Sequence, residues 1–347
     1  MVLVFGATGF SGSLLVERLL ERGLPVRIAA RSPEKLQAMS AQHGGLDWVT
    51  ADASDPESLD RACVGASVLA TTVGPYSRSG HVAIEAAIRH RLAYIDITGE
   101  PAFIRRVFEH WGPQAAAAGV PLLTAFGYDY VPGNLAAATA LETAGAAAVT
   151  VNVGYFLAGR PQRNSENFSV GTLESLKASA SATKFAFHGG ELREQPAGKQ
   201  VIDFDVSGQQ RTAVAIGSTE HFALPRSFPQ LQNVNVGLGW FGEPANATTG
   251  ASSNDAPDIA APGPSTETQA ALTSEVIAVA RDADGAELAS ATFVGPNPYP
   301  LSASLVAWAA KQAAAGRISG AGALGPLEAF DMPTLTAACA AVGLKRA

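Results

Sequence analysis

The sequence predicts an α/β protein: a Rossmann-type, doubly wound parallel sheet with a second α+β domain built on a mainly antiparallel sheet. Three observations predict it. The chain opens on an apolar run, a glycine-rich turn and an amphipathic pattern, MVLVFGATGFSG followed by SLLVERLLERG. Apolar, strand-like runs then alternate with helical patterns six times up to about residue 133, the signature of a parallel sheet. From about residue 148 to 298 the pattern changes to alternating strands with one lightly covered face. At 347 residues the chain exceeds the size at which a single core stops growing, so two domains are expected.

Val2, Leu3, Val4 and Phe5 form a continuous apolar run, as in a strand buried on both faces. Gly6 permits a tight turn, Gly9 lets a pyrophosphate approach the backbone, and Gly12 lets the next helix pack close to the strand. Leucines at 14, 15, 19 and 20 give that helix its apolar stripe. Its N-terminus offers N–H groups and a positive dipole end to phosphates. The spacing is GxxGxxG rather than GxGxxG, and a glycine turn without a ligand is the alternative. Gly23 and Pro25 end the helix before the strand VRIAAR at 26–31. An acid at the end of this strand would hold the ribose hydroxyl of NAD, whereas an arginine suits the 2′-phosphate of NADP. The chain has Arg31 there, then Ser32 and Lys35, so NADP(H) is the expected cofactor. A solvated arginine at a strand end is the alternative.

LDWVTAD at 46–52 is a third strand, and Asp55-Pro56 opens a helix. ASVLATTV at 66–73 is the fourth, running into Gly74-Pro75-Tyr76, with a helix over about 80–90. AYIDIT at 93–98 leads into Gly99-Glu100-Pro101 and a helix to about 118. VPLLTAF at 120–126 leads into GYDYVPG at 127–133. Ligands of such sheets sit beyond the carboxyl ends of the strands. The expected cofactor contacts are therefore Gly6, Thr8, Gly9, Phe10, Ser11 and Gly12 in the turn, and Arg31, Ser32 and Lys35 after the second strand. Asp52 ends the third strand and Ala53 follows it, Val73 ends the fourth before Gly74, Pro75 and Tyr76, and Glu100 follows the fifth.

The cofactor domain is expected over 1–147 and the α+β domain over 148–298, with strands at 149–156, 199–206, 212–218 and 234–240. A helix around 171–184 interrupts them. The aromatic residues here (Phe156, Phe168, Phe185, Phe187, Phe222, Phe228, Trp240 and Phe241) read as core or as the lining of an apolar channel. The segment 243–265 is short of large apolar residues and reads as a connector or a lid. A proline-rich turn at 295–300 becomes a helix, and the segment 299–347, with its last helix near 332–342, is expected to pack back on the first domain.

Composition narrows the function. The net charge of -7, with no basic cluster, argues against nucleic-acid binding. Cys63 and Cys339 are the chain's two cysteines, which excludes a disulfide scaffold or a cysteine zinc site, and six histidines without paired spacing point to no metal. No apolar run approaches membrane-spanning length. A strand beginning at Val2 leaves no room for a signal peptide, so a cytoplasmic location is expected.

Hydride transfer needs an acceptor held against the nicotinamide and usually a proton donor opposite. None of the six tyrosines is followed four residues later by lysine, so the Tyr-x-x-x-Lys pair of short-chain reductases is absent. The donor must come from the strand-end loops. Tyr128 and Tyr130 are candidate acids or carbonyl orienters, and Asp129 and Glu100 candidate bases or ribose contacts. Core tyrosines and helix-capping acids are the alternative for each. Asp96 reads as a structural hydrogen bonder or a pocket residue, and His81 and His90 as structural or exposed.

Five motifs, GATGFSG at 6–12, GPY at 74–76, YIDITGEP at 94–101, GYDYVPGNLA at 127–136 and NPYPLSA at 297–303, resemble the saccharopine dehydrogenase-like oxidoreductases, in particular the branch of trans-acting enoyl reductases. The resemblance runs through nearly the whole chain. It implies a Rossmann domain plus an α+β domain with NADP(H) between them, and a chemistry that spans amino-acid, lipid and polyketide substrates. This chain departs from many relatives in having a short polar segment at 243–265. The expected function is NADPH-dependent reduction of a C=C or C=O bond in a largely uncharged, polyketide- or lipid-like small molecule, free or carrier-bound. A saccharopine-type imine reductase, with Arg160 and Arg163 holding a carboxylate, and a non-catalytic NADPH sensor are the alternatives. The oligomeric state stays open.

Overall fold

The computed structural model describes residues 1–159, 169, 184–195, 200–206, 208–240 and 272–347. The expected helix around 171–184 (apart from Lys184, which opens a strand), Phe168, Phe241, the Arg160/Arg163 pair and the segment 243–265 lie outside the described residues. The chain divides into two compact units, Met1–Asp129 with Tyr299–Asp331, and Tyr130–Pro298 with Met332–Ala347.

The first unit is built on seven parallel strands. Its elements are β1 (Val2–Phe5), α1 (Phe10–Glu21), β2 (Val26–Ala30), α2 (Pro33–Gln42), β3 (Asp47–Thr50), α3 (Pro56–Cys63), β4 (Val68–Thr71), α4 (Tyr76–His90), β5 (Ala93–Asp96), α5 (Pro101–Arg106), α6 (Gly112–Ala118) and β6 (Pro121–Leu123). The late segment adds most of α9 (Pro298–Ala314), β15 (Gly322–Ala323) and α10 (Pro326–Ala329). The spatial order is β15-β6-β5-β4-β1-β2-β3. From β1 the chain winds outward to β3, then returns to β4 on the other side of β1. The order reverses there, which is where open α/β sheets bind ligands. Every residue of β1 is buried, as its apolar run predicts.

Two local rules explain the helix starts. Ser32 and Asp55 accept the N–H of Lys35 and Ser58 respectively, and Pro33 and Pro56 occupy the first turns. The helix expected from about residue 80 begins four residues earlier, at Tyr76, because a remote carboxylate caps it, as described below. A π turn at Val107–Trp111 carries α5 into α6.

The second unit comprises α7 (Val131–Ala144), β7 (Thr150–Gly159), β8 (Lys184–His188), β9 (Glu191–Gln195), β10 (Val201–Val206), β11 (Gln209–Ala215), α8 (Glu220–Ser227), β12 (Asn233–Leu238), β13 (Leu272–Arg281), β14 (Glu287–Gly295), α11 (Met332–Ala341) and β16 (Lys345–Arg346). They form a nine-stranded sheet in which every described pairing is antiparallel except β7 with β12. One face carries the cluster of Phe156, Phe204, Val206, Ala213, Ile277 and Val279. Against this sheet lies α7, whose buried alanines 136, 137, 138 and 140 let it approach β13 and β14 closely.

The structure corrects three expectations. The division falls at Asp129/Tyr130 rather than 147/148, because α7 packs on the second sheet. The segment 299–347 divides: Tyr299–Asp331 lies in the first unit and Met332–Ala347 in the second, where α11 packs on α7 and β16 pairs with β14. The strands β8, β9, β13 and β14 were not expected from the sequence, and β13 and β14 form much of the sheet.

Candidate functional site

The site is built from the carboxyl ends of the first unit's strands. At the end of β1 the backbone turns at Gly6, whose φ is +90°. A Cβ on Gly12 would stand 2.1 Å from Gly6 O, so only glycine lets α1 start this close to the strand. Gly9 precedes α1 with no side-chain cap and is exposed. The first-turn amides are thus left without a capping side chain, the arrangement that receives an anion. Thr8, Phe10 and Ser11 are half-buried around this turn. Thr72 braces it by donating its hydroxyl to Gly6 O at 3.1 Å.

Beyond β2, Arg31 and Lys35 are exposed, and neither makes an ion pair or side-chain hydrogen bond with a described residue. Ser32 is committed to the start of α2: its hydroxyl accepts from Lys35 N–H at 3.2 Å and donates to Glu34 at 2.8 Å. Asp52 holds Ser54 through two hydrogen bonds of 2.8 Å. Those bonds, aided by the positive field of Arg31, keep its carboxyl below the usual range. Ala53 and Val73 are half-buried and Gly74 is exposed.

Two expected cofactor contacts turn out to have other work. Tyr76 is buried, and its phenol donates to Thr71 O at 3.1 Å while its ring packs on Phe103. Burial pushes this phenol well above its ordinary pKa. Glu100 is likewise buried, and its two oxygens accept the N–H groups of Tyr76 and Ser77, each at 2.8 Å. It caps α4, which Pro75 precedes without a side-chain cap of its own, so its carboxylate is engaged with backbone.

Asp96 ties two loops together. Its carboxylate accepts from Thr98 N–H, Ala125 N–H and the Thr124 hydroxyl at 2.8–2.9 Å, and complete burial raises its pKa. Beyond these loops lies Asp129. It is half-buried, its Oδ1 is wholly shielded and has no hydrogen-bond partner, and burial pushes its carboxyl up to about 7. Its Oδ2 lies 3.3 Å from where a Cβ on Gly99 would stand, so a glycine in the β5 loop leaves room for it. Tyr128 and Tyr130, on either side, are almost completely buried. Tyr130, in the second unit, packs edge-on to Tyr155 with ring centroids 5.6 Å apart.

Sequence reasoning missed the brace behind these loops. Ser302, in α9, accepts Tyr128 N–H at 2.9 Å, while Tyr299 packs edge-on against Phe10 with centroids 5.0 Å apart. Arg22, just past α1, donates to Ser304 O at 3.3 Å. The late NPYPLSA motif therefore supports both the glycine turn and the Tyr128–Asp129 loop. The one signal in the sequence was the presence of these motifs in the same chain.

A bound dinucleotide fits this set on the structure's own terms, because the Gly6–Gly12 cradle has no space for a Cβ and α1 opens without a side-chain cap. Among the described residues, no cluster of His, Cys, Asp or Glu could hold a metal, and no helix is long and apolar enough to cross a membrane.

Comparison with known proteins agrees with this geometry. Residues 6–104 match the NAD(P)H-binding family. A trans-acting enoyl reductase of Mycobacterium ulcerans is 40% identical over 140 residues, covering 39% of this chain and 34% of that protein. A lipid droplet localized protein of Caenorhabditis elegans is 34% identical over 146 residues, covering 39% of this chain and 34% of that protein. The chain thus spans about a third of the length of the curated relatives it matches. Saccharopine dehydrogenase (L-Glu forming) of Saccharomyces cerevisiae superposes with a TM-score of 0.64 at 14% identity, covering 100% of this chain and 99% of that one. The chain is therefore similar in sequence to trans-acting enoyl reductases over part of its length, and it shares the fold of saccharopine dehydrogenase throughout.

Proposed function

We propose that this protein is an NADPH-dependent oxidoreductase that reduces a C=C or C=O bond in a largely uncharged small molecule, with Asp129 carrying the proton. The observation that carries the reading is the shielded, unpartnered Oδ1 of Asp129 on a strand-end loop of a glycine-turn sheet. Buried carboxyls are normally hydrogen-bonded, and an orphaned one marks a place where a ligand completes the bonding.

The residues divide the work. The first-turn amides of α1 would hold the pyrophosphate, and Arg31 and Lys35 would hold the 2′-phosphate. When bound, the nicotinamide supplies hydride. Asp129, with its carboxyl near 7, holds a proton on a large share of molecules at neutral pH and can deliver it from Oδ1 to the carbon or oxygen left negative after reduction. Asp96, Ser302 and Glu100 keep the loops in place. An uncharged substrate is favoured because an amino-acid substrate would call for convergent arginines to hold its carboxylates.

The test is a fluorescence titration with NADPH and NADH, then turnover assays on an enone, a ketone and an amino-acid/keto-acid pair. Saturable NADPH binding with turnover of the enone or ketone is expected. Arg31→Ala should weaken NADPH about ten- to a hundredfold and leave NADH unchanged. Turnover of the amino-acid pair alone would replace this reading with the imine-reductase one.

A further inference from the structure

The second unit contains a cavity of about 290 Å³ at a fork in its sheet. One edge of β12 pairs with two strands in succession: Asn233 and Val234 with β8, then Gly237 and Leu238 with β11. The two partners part company around Asn235 and Val236, and the cavity opens where they separate. Phe185, Ile202 and Ile216 form its apolar walls, and His221, Asn152 and Asn235 bring polar groups to it.

The polar groups are arranged to serve an occupant. His221 is 2% exposed, and its Nδ1 accepts Ser218 N–H at 3.1 Å. A backbone N–H can only donate, and its 3.1 Å contact is shorter than the 3.4 Å from Nδ1 to Ser218 O, so the tautomer that fits leaves Nδ1 unprotonated and Nε2–H as a donor. Phe185 packs edge-on to the imidazole, with centroids 5.5 Å apart, and fixes the ring. Asn235 donates to Asn152 Oδ1 at 2.9 Å, which leaves the amide N–H groups of Asn152 and the amide oxygen of Asn235 for a ligand. No charged side chain lines the cavity among the described residues. Burial pushes His221 down to about 4, so the described wall is neutral at physiological pH. A carboxylate, phosphate or ammonium group would enter with no counter-charge, at a large desolvation cost.

We propose that this cavity is a binding site for a small, uncharged carbonyl or carboxamide compound, whose oxygen accepts from His221 Nε2–H while its apolar body lies against Phe185, Ile202 and Ile216. The cavity belongs wholly to the second unit, and the proposal stands independently of the cofactor reading.

The test uses the full chain, N,N-dimethylbenzamide as the neutral probe and benzoate as its charged counterpart, followed by saturation-transfer NMR. Saturable binding of the amide is expected, with benzoate weaker by about tenfold or more. His221→Phe keeps a ring and removes the donor, and should weaken the amide about tenfold. Ile216→Trp fills the cavity from a half-buried wall and should abolish binding; it decides the matter if H221F fails to fold by circular dichroism. Absence of saturable amide binding, equal binding of benzoate, or unchanged binding to I216W would each overturn the proposal.

Discussion

Asp129 and Glu220 are both carboxyls that burial raises to about 7, one in each unit, yet their surroundings are opposite. Glu220 is completely buried, and its oxygens accept from the Tyr155 phenol and, at 3.3 Å, the Thr219 hydroxyl. Tyr155 in turn accepts Gly133 N–H at 2.9 Å, so the chain of bonds satisfies the first turn of α7. Asp129 Oδ1 accepts nothing. A raised pKa therefore does not by itself mark chemistry. In Glu220 it accompanies a saturated structural network, and in Asp129 an open valence.

The largest expected effect separates these two roles. Asp129→Asn should lower kcat by about a hundred- to ten-thousandfold, the usual worth of a positioned proton donor, while leaving the melting temperature unchanged or higher. Glu220→Gln keeps an oxygen for Tyr155 and should change kcat by no more than a few fold. Equal losses in both variants would erase the distinction between carrier and scaffold.

The next contrast concerns two glycines with the same constraint. A Cβ on Gly12 would meet Gly6 O at 2.1 Å, and one on Gly133 would meet the Tyr155 hydroxyl at 2.0 Å and Glu220 Oε1 at 2.4 Å. Gly12→Ala and Gly133→Ala should each cost about 3 kcal/mol in denaturant unfolding. Only Gly12→Ala should also remove NADPH binding, because it moves the amides that face the phosphates. Smaller still is Glu220→Ala, which leaves the Tyr155 hydroxyl without its acceptor at a cost of about 2 kcal/mol.

The same contrast explains what was legible in the sequence. The glycine turn, the cap at Asp55 and the parallel strands could be read because each rests on neighbours within a few residues. The capping of α4 by Glu100 spans 24 residues, and the bond from Tyr128 to Ser302 spans 174, so no local pattern announces either. Tyr76 looked like a ribose contact because it follows a strand end, but its phenol turns back to Thr71. The helix α7 has apolar residues on all sides, mostly alanine, so no stripe revealed that it lies against the second sheet. The Glu220 network was invisible for a related reason: its members come from α7, β7 and α8, and none is unusual in its own segment.

The smallest effect is the one that tests the premise. Asp129 ionises near 3.8 when unfolded and near 7 when folded. Between those values the folded protein binds more protons than the unfolded chain, so stability falls as pH rises, is unaffected below about 4 and bears the full cost above about 7. His221, lowered from 6.5 to about 4, acts in the opposite sense between those values, because there the unfolded chain binds the extra proton. Glu220, raised from 4.5 to about 7, adds to the fall, so the wild-type curve mixes all of these slopes. The difference between wild type and Asp129→Asn isolates the carboxyl, and the variant should gain steadily from pH 4 to 7. The full shift would correspond to about 4 kcal/mol. Asp129 keeps some contact with water, which screens the effect, so about 2 kcal/mol is expected above pH 7. A gap that narrows as pH rises would mean that the folded protein stabilises the ionised carboxylate, and a carboxylate so stabilised is a poor proton donor at neutral pH.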